Sequence, residues 1–144
     1  MFSKACEYAI RSCIYVASIS ELDGKVPLQA ISNAIDSPPA YTAKLLQMLV
    51  QAKILNSSKG VGGGFSMNGM QLQNTLLADV VKAIDGDGIY TGCALGLKKC
   101  SSDKPCSVHH QFEQVRNDLK KMLTGTRIVD LVEPYNAGIT RLKK

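Results

Sequence analysis

The sequence predicts a mainly α-helical fold that contains one small β-hairpin. Apolar residues recur at steps of three and four in several segments, which is the spacing of amphipathic helices. Two short helical segments follow one another across a tight turn, and two strand-like segments then flank a glycine-rich loop. With 144 residues, of which 45% are hydrophobic, the chain is long enough to bury one core.

The first helix is predicted over residues 2–20. Its apolar residues recur at steps of four, three, four and three, and two cysteines lie on that stripe. Free cysteines are among the most frequently buried residues, so we interpret both as core residues. The stripe consists of Phe2, Cys6, Ala9, Cys13 and Val16.

No segment has the pattern of a signal peptide or the length of a membrane span. Arg11 interrupts the apolar N-terminal segment, and no small-residue cleavage site follows it. We therefore expect a cytoplasmic protein without a membrane partner. Thiols stay reduced in that compartment, so the five cysteines are not expected to form a disulfide framework.

Residues 27–52 have the pattern of a helix-turn-helix unit. Pro27 is compatible with the first turn of a short helix, and Asp36 interrupts that helix. Ser37 is a favourable N-cap and Pro38 a favourable first residue for a second helix, which we predict to end at about Ala52.

A β-hairpin is predicted directly after this second helix. Residues 54–59 and 65–67 are strand-like, and a loop with four glycines connects them. A phosphate-binding loop for a nucleotide would continue into a helix, whereas Phe65 begins a strand-like segment here. The hairpin therefore predicts the wing of a winged helix-turn-helix domain over residues 1–86, with the wing at about residues 54–68.

The second helix of the pair offers a face suited to the major groove of DNA. At about 100° per residue, its large apolar side chains fall on one side, and small or polar side chains fall on the other. An ordinary solvated face has the same composition, and the net charge of +5 permits DNA binding without requiring it. The candidate DNA contacts are Pro39, Ala40, Tyr41, Ala43, Lys44 and Gln47 on the helix, and Lys59, Gly60, Gly62 and Gly63 on the wing.

Three cysteines and a histidine form a candidate metal site in the second half of the chain. Cys93, Cys100, Cys106 and His109 lie within 17 residues, in a glycine- and lysine-rich stretch that offers few core residues. These gaps suit an iron–sulfur cluster, whereas structural zinc more often uses closely spaced cysteine pairs. The spacing leaves open zinc, a metal-free thiol sensor in which two cysteines form a disulfide, and His110 as another ligand.

A long helix is predicted from Pro105 to Gly125, with Cys106 in its first turn, where the helix dipole favours a thiolate. Its apolar residues recur at steps of four and three, and this stripe has two interpretations. It either packs on the chain's own domain or pairs with a second copy of the helix. We prefer the second interpretation, and predict that residues 87–144 form a cysteine loop and a dimerisation helix. The apolar residues are Val108, Phe112, Val115, Leu119 and Met122.

The sequence resembles the Rrf-two family of winged-helix transcription regulators, which includes iron–sulfur regulators of the IscR and NsrR types. The resemblance covers nearly the whole chain, from EYAI at residues 7–10 and SKGVGGGF at 58–65 to DVVKAIDG at 79–86 and TRIVDL at 126–131. The glycine-rich wing and the cysteine loop are its most specific parts. Departures include a first cysteine gap of six residues where five is usual, Lys59 in place of a wing arginine, and Ala43 in place of a recognition-helix glutamate.

This resemblance implies a homodimer that binds a palindromic operator and carries an iron–sulfur cluster on Cys93, Cys100 and Cys106. His109 is implied as the fourth ligand by analogy with IscR-type members, which carry a two-iron cluster, so [2Fe–2S] is favoured over [4Fe–4S]. Glu7 is the rival fourth ligand by analogy with NsrR-type members.

The sequence as a whole predicts a homodimeric DNA-binding regulator whose operator affinity is controlled by the cluster. One alternative is a cluster-free repressor that is either thiol-redox-sensing or constitutive. Another is an iron–sulfur electron-transfer or carrier protein, which would have no use for the helix-turn-helix unit and the wing. No nucleophile–base or carboxylate pair stands out, so we expect neither an enzyme nor a small-molecule substrate.

Overall fold

The computed structural model describes residues 1–143 and confirms a mostly helical fold with one small hairpin. Its elements are α1 (Lys4–Ser20), α2 (Leu28–Ile35), α3 (Pro39–Gln51), β1 (Asn56–Ser58), β2 (Gly64–Ser66), α4 (Gly69–Asn74), α5 (Leu77–Asp85), α6 (Gly88–Thr91), α7 (His109–Gly125), a 3₁₀ turn (Ile128–Leu131) and α8 (Val132–Asn136). Among the residues described, no helix is both long enough and apolar enough to cross a bilayer.

Helix α1 lies at the centre of the fold and contacts α2, α3, α5, α8 and the 3₁₀ turn. It begins two residues later than predicted, because the Ser3 hydroxyl accepts a hydrogen bond from the Cys6 amide at 3.0 Å and acts as the N-cap. The predicted apolar stripe is confirmed, since Cys6, Ala9, Cys13 and Val16 are all fully buried.

The helix-turn-helix unit comprises α2 and α3, which are joined by a turn at Asp36 with a left-handed backbone (φ 54°). The prediction that Ser37 caps α3 is wrong, because Pro38 occupies the cap position. The Ser37 hydroxyl instead hydrogen-bonds the hydroxyl of the buried Thr42, which also donates to the Pro38 carbonyl at 2.9 Å. The turn is therefore closed by side-chain hydrogen bonds inside the unit.

The predicted wing is an antiparallel pair of strands, β1 and β2, in which Ser57 lies opposite Phe65. A third extended segment joins them, because Val26 and Phe65 exchange two backbone hydrogen bonds of 2.9 and 2.8 Å. The first strand is shorter than predicted, since the side chains of Ile54 and Leu55 are buried in the core.

Two short helices and several boundaries differ from the sequence-based expectations. Helices α4 and α6 were not predicted; α4 is capped by Asn68, whose side chain accepts from the Gln71 amide at 2.9 Å. Helix α7 begins at His109, so the placement of Cys106 in its first turn is wrong. Pro134 lies in the first turn of α8, where its missing amide costs no hydrogen bond.

The C-terminal residues complete the same hydrophobic core that α1 organises. Backbone hydrogen bonds from Leu77 to the Thr126 carbonyl (2.8 Å) and from Ile128 to the Thr75 carbonyl (2.9 Å) attach the segment after α7 to the start of α5. The buried residues contributed by this part of the chain are Leu123, Ile128, Val132 and Leu142.

Helix α7 carries two apolar rows with different surroundings. One row is buried or half-buried against the chain itself and includes Phe112 and Leu119 from the predicted seam. The other three seam residues remain exposed at 37% for Val108, 50% for Val115 and 46% for Met122. The helix therefore packs on its own domain and still leaves an apolar row uncovered within residues 1–143.

The packing of α3 can be tested by comparing its two faces. Leu46 is fully buried, so Leu46→Ala should lower the free energy of unfolding by about 2–5 kcal/mol through lost burial and cavity formation. Lys44→Ala, on the exposed face of the same helix, should change it by about 0.5 kcal/mol or less. Urea denaturation followed by circular dichroism measures both, and equal losses would contradict the assigned faces.

The cysteines should fall into two classes of reactivity. Burial raises the pKa of the Cys6 and Cys13 thiols to about 12, and the Asp85 carboxylate adds to the effect at Cys6. Iodoacetamide at pH 8 should therefore spare both, because only about one thiol in 10⁴ would be ionised and neither is accessible. Mass spectrometry of the chelator-treated protein should find label on the half-exposed loop cysteines only, and on all five in urea. Native labelling of Cys13 at the rate of the loop cysteines would contradict this burial.

Candidate functional site

The cysteine loop connects α6 to α7 and is shaped by local hydrogen bonds at both ends. At its start, the Gly96 amide donates to the Cys93 carbonyl at 3.0 Å, and Gly96 adopts the left-handed conformation (φ 70°) that this turn requires. At its end, the His109 amide donates to the Cys106 carbonyl at 3.0 Å. Cys93 and Cys106 are thereby positioned at the two ends of the loop, next to the N-terminus of α7.

The four predicted ligands form two pairs. The Sγ atoms of Cys93 and Cys106 are 3.9 Å apart, and Cys100 Sγ lies 3.3 Å from His109 Nδ1. Within residues 1–143, three or more potential ligand atoms fall within 4.8 Å of one another only in a different group, which combines His109 with His110 and Glu113. The structure therefore brings the ligands together pairwise and not as one tetrahedral set.

His109 is well placed to act as a metal ligand. Its side chain is buried, with 5% exposure, although it occupies the first position of a helix. Its Nδ1 atom faces Cys100, and its Nε2 atom is buried without a hydrogen-bond partner among the described residues. Burying a ring nitrogen without a hydrogen-bond partner costs free energy, and a bond to a metal would offset that cost. The donor set of three thiols and an imidazole therefore fits a metal or an iron–sulfur group.

Arg116 belongs to the site, although sequence reasoning did not select it. Its Nη1 atom lies 2.9 Å from Cys100 Sγ and donates to the Gly92 carbonyl at 2.8 Å. Its Nε atom is buried without a partner, and both ion pairs found within residues 1–143 lie elsewhere. The available signal was helical spacing, because Arg116 lies seven residues after His109 and on the same face of α7.

The electrostatic surroundings favour negative charge on the Cys93 sulfur atom. Backbone hydrogen bonds from Leu95 and Leu97 lower the pKa of the Cys93 thiol, and the Cys106 side chain and the Arg116 charge add to the effect. The guanidinium of Arg116 also lies 2.9 Å from Cys100 Sγ, so a positive charge adjoins a second cysteine of the loop. Cys93 is therefore suited to act as a thiolate, either free or bound to a metal.

The rival ligand Glu7 lies on α1, where Lys4 donates to it at 3.1 Å. Within residues 1–143 it belongs to no group of three potential ligands of the kind formed by His109, His110 and Glu113.

A cleft of about 340 Å³ adjoins the cysteine loop, with Cys93 and Arg116 in its wall. The remaining wall is mostly apolar and includes Met1, Ile89, Phe112, Val115 and Leu119.

The candidate DNA-reading face of α3 is open to solvent. Thr42, Leu45, Leu46 and Leu49 are buried. Tyr41 packs edge-on against Tyr8 of α1, with ring centroids 5.9 Å apart. Of the predicted contacts, Ala43 is half-buried, and Pro39, Ala40, Tyr41, Lys44 and Gln47 are exposed.

The wing presents bare backbone and positive charge. Lys59, Gly60 and Gly62 are exposed, whereas Gly63 is half-buried and packs so tightly that a Cβ atom would lie 2.4 Å from the Ser58 carbonyl oxygen. Lys25, which sequence reasoning did not select, donates to the Ser58 hydroxyl at 3.1 Å. A second lysine therefore lies beside the wing, from the segment that pairs with β2.

Comparison with known proteins gives consistent matches over the whole fold. The family model described as "Rrf2: Iron-dependent Transcriptional regulator" (the Rrf-two family) matches residues 2–134. A putative HTH-type transcriptional regulator of Aquifex aeolicus is 29% identical over 134 residues, covering 92% of this chain and 91% of that protein. The HTH-type transcriptional regulator IscR of Photorhabdus laumondii is 26% identical over 125 residues, covering 87% of this chain and 74% of that protein.

Solved structures show the same fold at low sequence identity. CymR of B. subtilis, described as the global cysteine regulator, has a TM-score of 0.74 at 19% identity and covers 92% of this chain and 96% of its own. T. potens IscR has a TM-score of 0.72 at 18% identity and covers 97% of this chain and 91% of its own. The chain therefore belongs to the Rrf2 family, whose members are transcriptional regulators and not enzymes.

Proposed function

We propose that this chain is a homodimeric DNA-binding regulator whose operator affinity is controlled by an iron–sulfur cluster held by Cys93, Cys100, Cys106 and His109. The observation that carries this proposal is the pairing of the four ligands, at 3.9 and 3.3 Å, beside a guanidinium that forms no ion pair among residues 1–143. When bound, an iron–sulfur cluster supplies one-electron redox chemistry.

The pairwise arrangement supports a two-iron cluster over a single zinc ion. A two-iron cluster takes two protein ligands at each iron, whereas tetrahedral zinc needs all four ligands around one point. The separation of 3.9 Å between Cys93 and Cys106 Sγ also suits two thiolates on one metal, because bonds of about 2.3 Å at tetrahedral angles set the sulfur atoms about 3.8 Å apart. We therefore favour [2Fe–2S], with His109 as the fourth ligand.

The charge on Arg116 supports the same proposal. Three thiolates and an imidazole around a metal group carry net negative charge. A partly buried guanidinium that has no carboxylate partner among residues 1–143 compensates for it. Because Arg116 also donates to Gly92, it ties the start of the cysteine loop to α7.

Control of DNA binding requires that the two cluster states have different DNA affinities. His109 and Arg116 lie on α7, which carries Val115 and Met122 of the uncovered row, and Val108 of that row is the N-cap of the helix. We propose that this row pairs with a second copy, so that a change at the ligands moves the dimer helix. Such a movement would alter the distance between the two helix-turn-helix units of the dimer, which must match one turn of DNA, about 34 Å.

A second candidate function is a metal-free thiol switch, which the approach of Cys93 and Cys106 favours. Oxidation by hydrogen peroxide would join their sulfur atoms into a disulfide, removing two hydrogens from the chain and releasing two water molecules. A CymR structure of similar fold is described as an oxidized form. Treating the chelator-treated protein with peroxide should distinguish the two functions. The thiol switch predicts the loss of two hydrogens in mass spectrometry and a matching change in DNA affinity. The Cys93→Ser variant should not lose these hydrogens.

Ligand variants test the cluster and its fourth ligand. After anaerobic reconstitution, the wild-type protein should contain about two iron and two sulfide per chain and absorb visible light. Cys100→Ala should lose this absorption and His109→Ala should lose or shift it, whereas Glu7→Ala and the neighbouring His110→Ala should retain the wild-type spectrum. A change confined to Glu7→Ala would assign the fourth ligand to Glu7. A colourless, iron-free wild type that binds DNA regardless of redox state would refute cluster control.

Variants of the reading surface test the DNA interface. Lys44→Ala and Gln47→Ala should relax base preference by roughly 1–3 kcal/mol, because each side chain faces the groove floor in this proposal. Lys59→Ala should weaken binding to all sequences and reduce the slope of log affinity against log salt by about 0.9 per lost phosphate contact. Selection from a random duplex library measures the first effect and a salt titration the second, with Lys120→Ala as a control. Unchanged preference in both helix variants would contradict the assigned face.

A further inference from the structure

The segment after α8 folds back onto the helix-turn-helix unit. It reverses at Gly138 (φ 71°), and the Ile139 amide donates to the Pro134 carbonyl at 2.9 Å. Leu142 is then buried in the hydrophobic core at 7% exposure, whereas Arg141 and Lys143 on either side of it are exposed. The buried leucine therefore fixes the backbone from which two exposed, positively charged side chains extend.

Arg11 anchors this segment to the end of α2. One atom, Arg11 Nη1, donates to both the Leu142 carbonyl and the Ile35 carbonyl, each at 3.0 Å. Ile35 is the last residue of α2, so the guanidinium also satisfies a carbonyl at the negative end of a helix. The two exposed cations consequently lie beside the turn that leads into α3.

A short series of contacts connects the same anchor to the reading face. The Arg11 guanidinium lies 4.7 Å from the centroid of the Tyr8 ring, and the Tyr8 ring lies 5.9 Å from that of Tyr41. In helix-turn-helix proteins the first helix crosses the DNA backbone and the start of the second contacts base edges. The turn between them therefore lies close to the phosphates that border the major groove.

We propose that Arg141 and Lys143 form a further DNA-binding surface, which contacts backbone phosphates next to the recognition helix. This proposal rests on the proposed DNA reading by α3 and the wing, and adds contacts from the opposite end of the chain. Neither cation takes part in an ion pair within residues 1–143, so both charges are available to a polyanion. Contacts of this kind position the protein and carry no base preference.

The test is a salt titration of binding to a random-sequence duplex of about 30 base pairs, measured by fluorescence anisotropy. The double variant Arg141→Ala/Lys143→Ala leaves Leu142 and its anchor in place, so the fold should be retained, which circular dichroism checks. The slope of log affinity against log salt should fall by about 0.9 per lost phosphate contact, or about 1.8 per chain. The charge-retaining variant Arg141→Lys/Lys143→Arg should keep the wild-type slope.

The matched control is Lys120→Ala/Lys121→Ala, which removes the same charge from the exposed surface of α7. Its slope should remain that of the wild type. Equal slope losses in the two double alanine variants would show an effect of net charge alone and overturn the proposal, as would an unchanged slope in the Arg141/Lys143 variant. A wild-type protein that fails to bind any duplex at low salt would refute the proposed DNA binding itself, which distinguishes the two failures.

Discussion

Burial of the apolar stripe of α1 is the constraint on which the rest of the structure depends. This helix contacts α2, α3, α5, α8 and the 3₁₀ turn, so the helix-turn-helix unit and the C-terminal elements share one core. Its N-terminus is also tied to the end of α5, because the Ser3 amide donates to the Asp85 carboxylate at 2.9 Å. Arg11 joins it to the end of α2. A displacement of α1 would therefore shift both the candidate DNA-reading face of α3 and the end of α5 that leads to the cysteine loop.

The cysteine loop and the reading face are different kinds of surface on this shared core. The loop provides three thiols, and the adjoining α7 provides an imidazole with an unpartnered buried nitrogen and a guanidinium that no carboxylate neutralises within residues 1–143. These groups favour an occupant with negative charge. The reading face has small, polar and basic side chains over a rigid apolar base, which suits close approach to a duplex. In the proposed function, one surface holds the cluster, the other contacts DNA, and the shared core connects them.

Helix α7 connects the two properties that a switch requires. Its inward row includes His109 and Arg116, which belong to the cysteine site, and ends at Leu123 in the common core. Its neighbouring row, with Val115 half-exposed, is not covered by the described part of the chain. In the proposed dimer, therefore, the residues that sense the state of the site and those that meet the second copy lie on adjacent faces of one rigid element.

The sequence alone determined α1 and its buried side, the helix pair α2 and α3, and the position of the hairpin, because each depends on local periodicity and on glycine or proline at turns. The same local logic placed Lys44 and Gln47 on the exposed face of α3. The tertiary structure alone decided how the cysteines and His109 pair, because those distances depend on how the loop folds back on α7. It also decided the role of Arg116 and the docking of Leu142, since both rely on partners far away in the chain that spacing cannot reveal.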